Sequence, residues 1–245
     1  MSEEVGVRRL GMLTPSSNTV LEPLTAAMLA ALPDVTVHFA RFRVTEISLG
    51  QGALGQFETE PMLTAAELLA DAKVASICWN GTSAGWLGFE SDEGLCAAIR
   101  ERTGIPACSS VLALNEIFER TDVRRFGLVT PYLPEIQGAI VANYTAAGFE
   151  CVAERHLCER DNFAFSTYDK DLIAELCREV ATAKPDAVAI FCTNFRGGEI
   201  VARLEEELGI PIYDTVATAV WKSLALAGVA PKRVQGWGRL FTALG

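Results

Sequence analysis

RRLGMLTP at residues 8–15 returns as RRFGLVTP at residues 124–131, with the paired arginines, the glycine and the closing Thr-Pro all preserved at an offset of 116. Two further matches follow in the same order. VASICWN at 74–80 answers VAIFCTN at 188–194, offset by 114, and GIPACSSVLA at 104–113 answers GIPIYDTVAT at 209–218, offset by 105. Ordered matches with slowly drifting offsets are the trace of a duplication with small insertions.

Each repeated segment also has a structural reading. RLGMLT and RFGLVT are short apolar runs of the kind that form buried parallel strands, and the proline after each threonine stops the ladder because it has no N–H to donate. VASICWN and AVAIFCTN read as second strands, each behind a helical stretch (EPMLTAAELLADA; DLIAELCREVATA). In both GIP segments the glycine closes a helix and the proline enters a strand. Strands alternating with helices imply parallel sheets covered on both faces. The expected architecture is therefore α/β: two flavodoxin-like parallel-sheet units related by a pseudo-twofold axis, with a cleft between them. The first half spans 1–119, with the C-terminal segment 223–245 packed on it, and the second spans 120–222.

Composition narrows the function. The chain has 245 residues, half of them hydrophobic, and a net charge of −10. That charge argues against a nucleic-acid binder, which carries a basic patch. No apolar run is long enough for a bilayer and no secretory signal is visible, so a cytoplasmic protein without a membrane partner is expected. Seven cysteines form no C-x-x-C pair, and the two histidines sit at no ligand spacing from them. Neither a metal site nor a disulfide framework is expected.

In open α/β sheets, ligands bind beyond the carboxyl ends of the strands. Four loops fall there: TPSSNT, WNGTSAGW, TPYLPE and CTNFRGGE. They contain no dinucleotide or P-loop glycine pattern, no lysine and no histidine, so no cofactor is expected from them. What they hold is hydroxyls, amides and thiols: Ser16, Ser17, Asn18 and Thr19; Thr82 and Ser83; Thr130 and Tyr132; Cys192, Thr193 and Asn194. Neutral donors with helix N-termini suit a small carboxylic acid or an enediolate. Ser16, Ser17 and Thr19 also fit as caps of a helix over 19–32. The acid–base group would be the Cys192 thiol, its pKa lowered by a helix N-terminus. Cys78, matched to Cys192 in the ICWN/FCTN alignment, is a possible second thiol, although its place inside a strand favours a core role. Trp79 is expected in the core and Trp86 in the cleft.

TPSSNTVLEP, NGTSAGWLG, VRRFGLVTPY, FCTN, LGIPIYDTVATAVWKSLALAG and the terminal GWGRLF, in this order, resemble the aspartate/glutamate racemase superfamily. The branch is that of arylmalonate decarboxylases and maleate cis-trans isomerases. Racemases and isomerases of that superfamily carry one cysteine in each half, the first just before a Thr-Ser-like pair. Here that position is Gly81, as in the decarboxylases, and only Cys192 remains. The resemblance implies that Thr82, Ser83, Tyr132 and the backbone around Thr193 hold a carboxylate, that a second carboxylate leaves as carbon dioxide, and that Cys192 protonates the enediolate. Asn18, in an SSNT loop, instead resembles the isomerases. Three readings follow: a decarboxylase of a malonate-like acid, a maleate isomerase or Asp/Glu-type racemase using Cys78, and a non-catalytic small-acid binding protein. A homo-oligomer is left open.

Overall fold

The computed structural model describes residues 6–50, 52 and 55–244. The first half contains β1 (Arg8–Pro15), α1 (Leu21–Leu29), β2 (Val35–Phe42), α2 (Thr59–Asp71), β3 (Ser76–Trp79), α3 (Ala84–Leu87), α4 (Phe89–Thr103), β4 (Ala107–Ser109) and α5 (Ser110–Arg120). The second contains β5 (Arg125–Thr130), α6 (Pro134–Ala146), β6 (Glu150–His156), α7 (Lys170–Ala181), β7 (Ala187–Ile190), α8 (Val201–Leu208), β8 (Ile212–Asp214) and α9 (Thr215–Leu226), and α10 (Leu240–Ala243) ends the chain. Two four-stranded sheets result, ordered β2-β1-β3-β4 and β6-β5-β7-β8, with every pairing parallel. No helix among the described residues is long and apolar enough to cross a membrane.

The repeated residues do the same work in both sheets. A Cβ on Gly11 would lie 3.2 Å from Leu69 of α2, and one on Gly127 would lie 2.9 Å from Val180 of α7. The glycine thus lets a helix rest closely on the strand. Gly104 and Gly209 end α4 and α8 at φ of 70° and 74°, left-handed positions that glycine takes without strain. Ser109 and Asp214 then cap α5 and α9 by accepting backbone N–H bonds.

Register corrects one of the sequence matches. Gly11 pairs with Ile77, and its twin Gly127 pairs with Val188. Structurally, therefore, Cys78 corresponds to Ala189, Trp79 to Ile190 and Gly81 to Cys192. The apparent partnership of Cys78 with Cys192 came from aligning two similar cysteines across the end of a strand, three residues out of register. The third match needs no correction: Ile77 pairs with Ala107, and Val188 with Ile212.

The halves interlock. Helix α9 lies against the first half, where Thr218 donates to the Ser110 carbonyl at 2.8 Å and Ser76 donates to the Ser223 carbonyl at 3.1 Å. The C-terminal segment touches both sides. Arg233 pairs with Asp34, whereas the Arg239 backbone N–H binds the Glu205 carboxylate at 2.6 Å.

Candidate active site

The cavity between the sheet ends is walled by Gly81, Thr82, Ser83, Trp86, Tyr132, Cys192 and Thr193, with Pro15, Val44, Ile47, Phe57, Trp79 and Asn162 around them. Its volume is about 20 Å³. The position twinned with Cys192 faces it as a glycine, and the reason is steric. A Cβ at Gly81 would sit 2.1 Å from the Trp79 ring, well inside any tolerated contact. Trp79 itself is 1% exposed, packs on Phe42 at 5.2 Å between centroids and bonds Ser83 through its indole N–H at 3.4 Å. It belongs to the core and to the cavity wall at once.

The hydroxyl cage forms from both halves. Thr82 and Tyr132 share a 2.6 Å hydrogen bond, and the Tyr132 hydroxyl also meets the Cys192 thiol. Tyr132 reaches this point because its backbone N–H is tied to Thr130, whose own hydroxyl donates to Gln137 at 2.7 Å. On the opposite side Asn18 donates to the Thr193 hydroxyl at 3.2 Å, and Thr193 donates to the Asn80 carbonyl at 3.1 Å. The Gly81 carbonyl accepts from Ser110 at 2.5 Å, which fixes the turn that carries Thr82 and Ser83.

The helix caps differ from expectation. Helix α1 begins at Leu21, and its first N–H groups are taken by amides rather than by Ser16, Ser17 or Thr19. Asn18 accepts from Val20 and Leu21 at 3.0 Å, and Asn194 of the other half accepts from Thr19 at 2.9 Å and Val20 at 3.3 Å. Asn18 and Asn194 are therefore brought together as fasteners between the halves. Ser16 and Ser17 bond the Val44 carbonyl, anchoring the segment that brings Val44 and Ile47 over the cavity. Asn162, absent from the sequence reading, donates to Ser17 at 2.7 Å and accepts from Asn194 through its carbonyl. It lies outside every repeat, so no pattern marked it. Trp86 does line the cavity, and its buried indole N–H has no partner among the described residues. It thus adds a donor that sequence alone did not supply.

Cys192 is 2% exposed and lies two residues beyond β7. A single-turn helix at Gly198–Ile200 starts only six residues later, so Cys192 does not sit at the N-terminus of a helix in its own segment. Burial pushes its thiol up to about 12, partly offset by hydrogen bonds from Tyr132 and the Asn194 backbone. The lowered pKa expected for this cysteine is therefore not what the site provides: it holds a neutral thiol. Cys78 lies elsewhere. It is fully buried within β3, contacts Cys108 and Ser223, and burial together with Cys108 pushes its thiol well above its ordinary value. It does not line the cavity.

A duplicated parallel α/β protein with one neutral thiol and a two-sided hydroxyl cage at the sheet ends is equipped for proton transfer to carbon beside a bound carboxylate. The arylmalonate decarboxylase family model matches residues 10–241, and the chain belongs to that family. It is 28% identical over 243 residues to the maleate isomerase of Nocardia farcinica, covering 96% of both chains. It is 23% identical over 244 residues to the arylmalonate decarboxylase of Bordetella bronchiseptica, covering 98% of both. Among solved structures it resembles a cysteine-to-serine mutant of the N. farcinica maleate cis-trans isomerase with a covalently bound succinylcysteine intermediate. The TM-score there is 0.87 at 26% identity, with 96% of this chain and 98% of that one covered.

Proposed function

We propose that the chain is a cofactor-independent decarboxylase of a malonate-like diacid, with Cys192 as the proton donor. The observation that carries this reading is the Gly81–Trp79 contact: the twin of Cys192 has no room for a side chain, so the cavity offers a thiol from one side only. One carboxylate would lie in the cage of Thr82, Ser83, Tyr132 and the Thr193 backbone. Cleavage of the bond to the second carboxylate releases carbon dioxide and leaves its electron pair as an enediolate in the cage. The Cys192 S–H then delivers its proton to the carbon. Tyr132 and the Asn194 N–H stabilise the resulting thiolate until solvent restores the proton. A thiol held neutral by burial suits a general acid better than a nucleophile or base.

A second reading has support of its own. The similarity to maleate isomerases is as strong as that to the decarboxylase, and Asn18 reaches Thr193. In the N. farcinica structure a cysteine other than the substituted one carries the adduct, whereas here Cys192 has no second thiol beside it in the cavity. Incubation with methylphenylmalonate and, separately, with maleate decides between them. Carbon dioxide and a monoacid from the first supports the decarboxylase, and fumarate from the second with no decarboxylation supports the isomerase. Binding of either without turnover would favour a binding protein.

A further inference from the structure

A cavity of about 20 Å³ holds roughly one water, yet a carbon acid decarboxylated here carries a substituent besides its carboxylates. Space for it lies next door. A second cavity of about 140 Å³ is walled by Phe57, Trp79 and Ser83, all of which also wall the catalytic cavity. Met62, Leu95 and Asp92 complete its inner surface, and it reaches solvent beside the exposed Thr59, Leu87 and Ser91. The partition is the Trp79–Ser83 hydrogen bond, whose 3.4 Å length places it among the weak ones.

The residue at issue is Asp92, on α4. It is 2% exposed, yet no cationic side chain among the described residues acts on it. Ser109 bonds its carboxyl, and its Oδ2 has no partner among the described residues. The titratable groups that sense it, Tyr144 and Cys96, are themselves held neutral by burial. Buried carboxyls are ordinarily paired or fully hydrogen-bonded, and an apolar residue would fill this place between Leu95 and Met62 at less cost. An unsatisfied acceptor on the wall of a compartment that Phe57, Met62, Trp79 and Leu95 share with the hydroxyls of Thr59, Ser83 and Ser91 is suited to a ligand that brings a donor.

We propose that this compartment receives the substrate's substituent and that Asp92 selects one ending in a hydrogen-bond donor, an ammonium or a hydroxyl group, at the end of an apolar chain. The assignment of the carboxylate end rests on the decarboxylase reading; the compartment itself does not. Hexanoate, its ω-hydroxy derivative and its ω-amino derivative are titrated by calorimetry into the full-length protein at pH 7.5. The donor-bearing acids are expected to bind at least about 10-fold tighter than hexanoate, and the stronger of the two tells ammonium from hydroxyl. Asp92→Leu abolishes the preference. Asp92→Asn, nearly isosteric, removes the ammonium preference and keeps the hydroxyl one, so it decides the matter even if the leucine variant does not fold. Equal affinity for hexanoate, no binding by any of the three, or a preference unchanged in both variants overturns the proposal. Turnover of methylphenylmalonate is measured in parallel. Loss of that activity with an intact Asp92-dependent preference would fault the decarboxylase reading alone, and the reverse pattern would fault this one alone.

Discussion

Replacing Gly81 by alanine adds a single methyl group, and the structure says what that methyl meets. Its carbon would fall 2.1 Å from the Trp79 ring and 2.6 Å from the nearest ring-fusion carbon, so the indole must retreat by roughly 1 Å to restore ordinary contact. Trp79 cannot retreat freely, because it is buried and packed against Phe42. Overpacking of this kind costs about 1–3 kcal/mol, which in a chain of this size lowers Tm by roughly 2–12 °C. Differential scanning calorimetry of Gly81→Ala measures the loss. The same substitution in a Trp79→Leu background, where the ring is gone, should cost far less, giving a coupling above about 1 kcal/mol. If Gly81→Ala destabilises both backgrounds equally, the ring is not what keeps position 81 a glycine, and the steric argument for a single-thiol site fails with it.

Three further outcomes follow from the same geometry. A general acid works while protonated and fails as pH rises through its pKa; with the Cys192 thiol pushed up to about 12, kcat should stay level on the alkaline side to about pH 10, and a decline centred near 8.5 would contradict a buried neutral thiol. Thr82→Val removes the hydroxyl that shares the 2.6 Å bond with Tyr132 and should lower kcat by about 10²–10³-fold with little change in Tm; kcat within twofold of wild type, read in steady-state assays, would take Thr82 out of the cage. Asp92 is raised to about 7 by burial, so the stability gained from its neutral form is present below about pH 4 and lost as pH rises through 7. Asp92→Asn should therefore gain on wild type between pH 4 and 7.5, by about 3 kcal/mol, in denaturant titrations at each pH; a constant difference would refute the assignment.

Much of the fold was legible because a duplication writes each structural rule twice. The glycine under the helix at 11 and 127, and the left-handed glycines at 104 and 209, could each be read as punctuation from one copy and checked against the other. The site was legible where its residues sit in the loops after those strands, as Thr82, Tyr132, Cys192 and Thr193 do. Register was harder. The resemblance of ICWN to FCTN drew Cys78 against Cys192, and only the pairing of Ile77 with Gly11 and Val188 with Gly127 shows that Gly81 holds that place. Burial was harder still. A cysteine beyond a strand end reads as lying near a helix N-terminus, but burial decides the sign of its pKa shift against the hydrogen bonds from Tyr132 and Asn194, and that burial has no sequence signature. Asn162 and Asp92 show the same limit, since one acts through an irregular segment and the other through a cavity assembled from β3, α2, α3 and α4.

In the proposed reaction Cys192 hands a proton to carbon after carbon dioxide has left. Proton NMR in D₂O, following methylphenylmalonate with wild-type protein and with Cys192→Ala, tests it directly. The account predicts a singly deuterated monoacid formed by wild type, with the alanine variant slowed at least about 10³-fold although its Tm is preserved. Equal rates and equal deuteration in both proteins would show that the proton comes from elsewhere and would contradict the account.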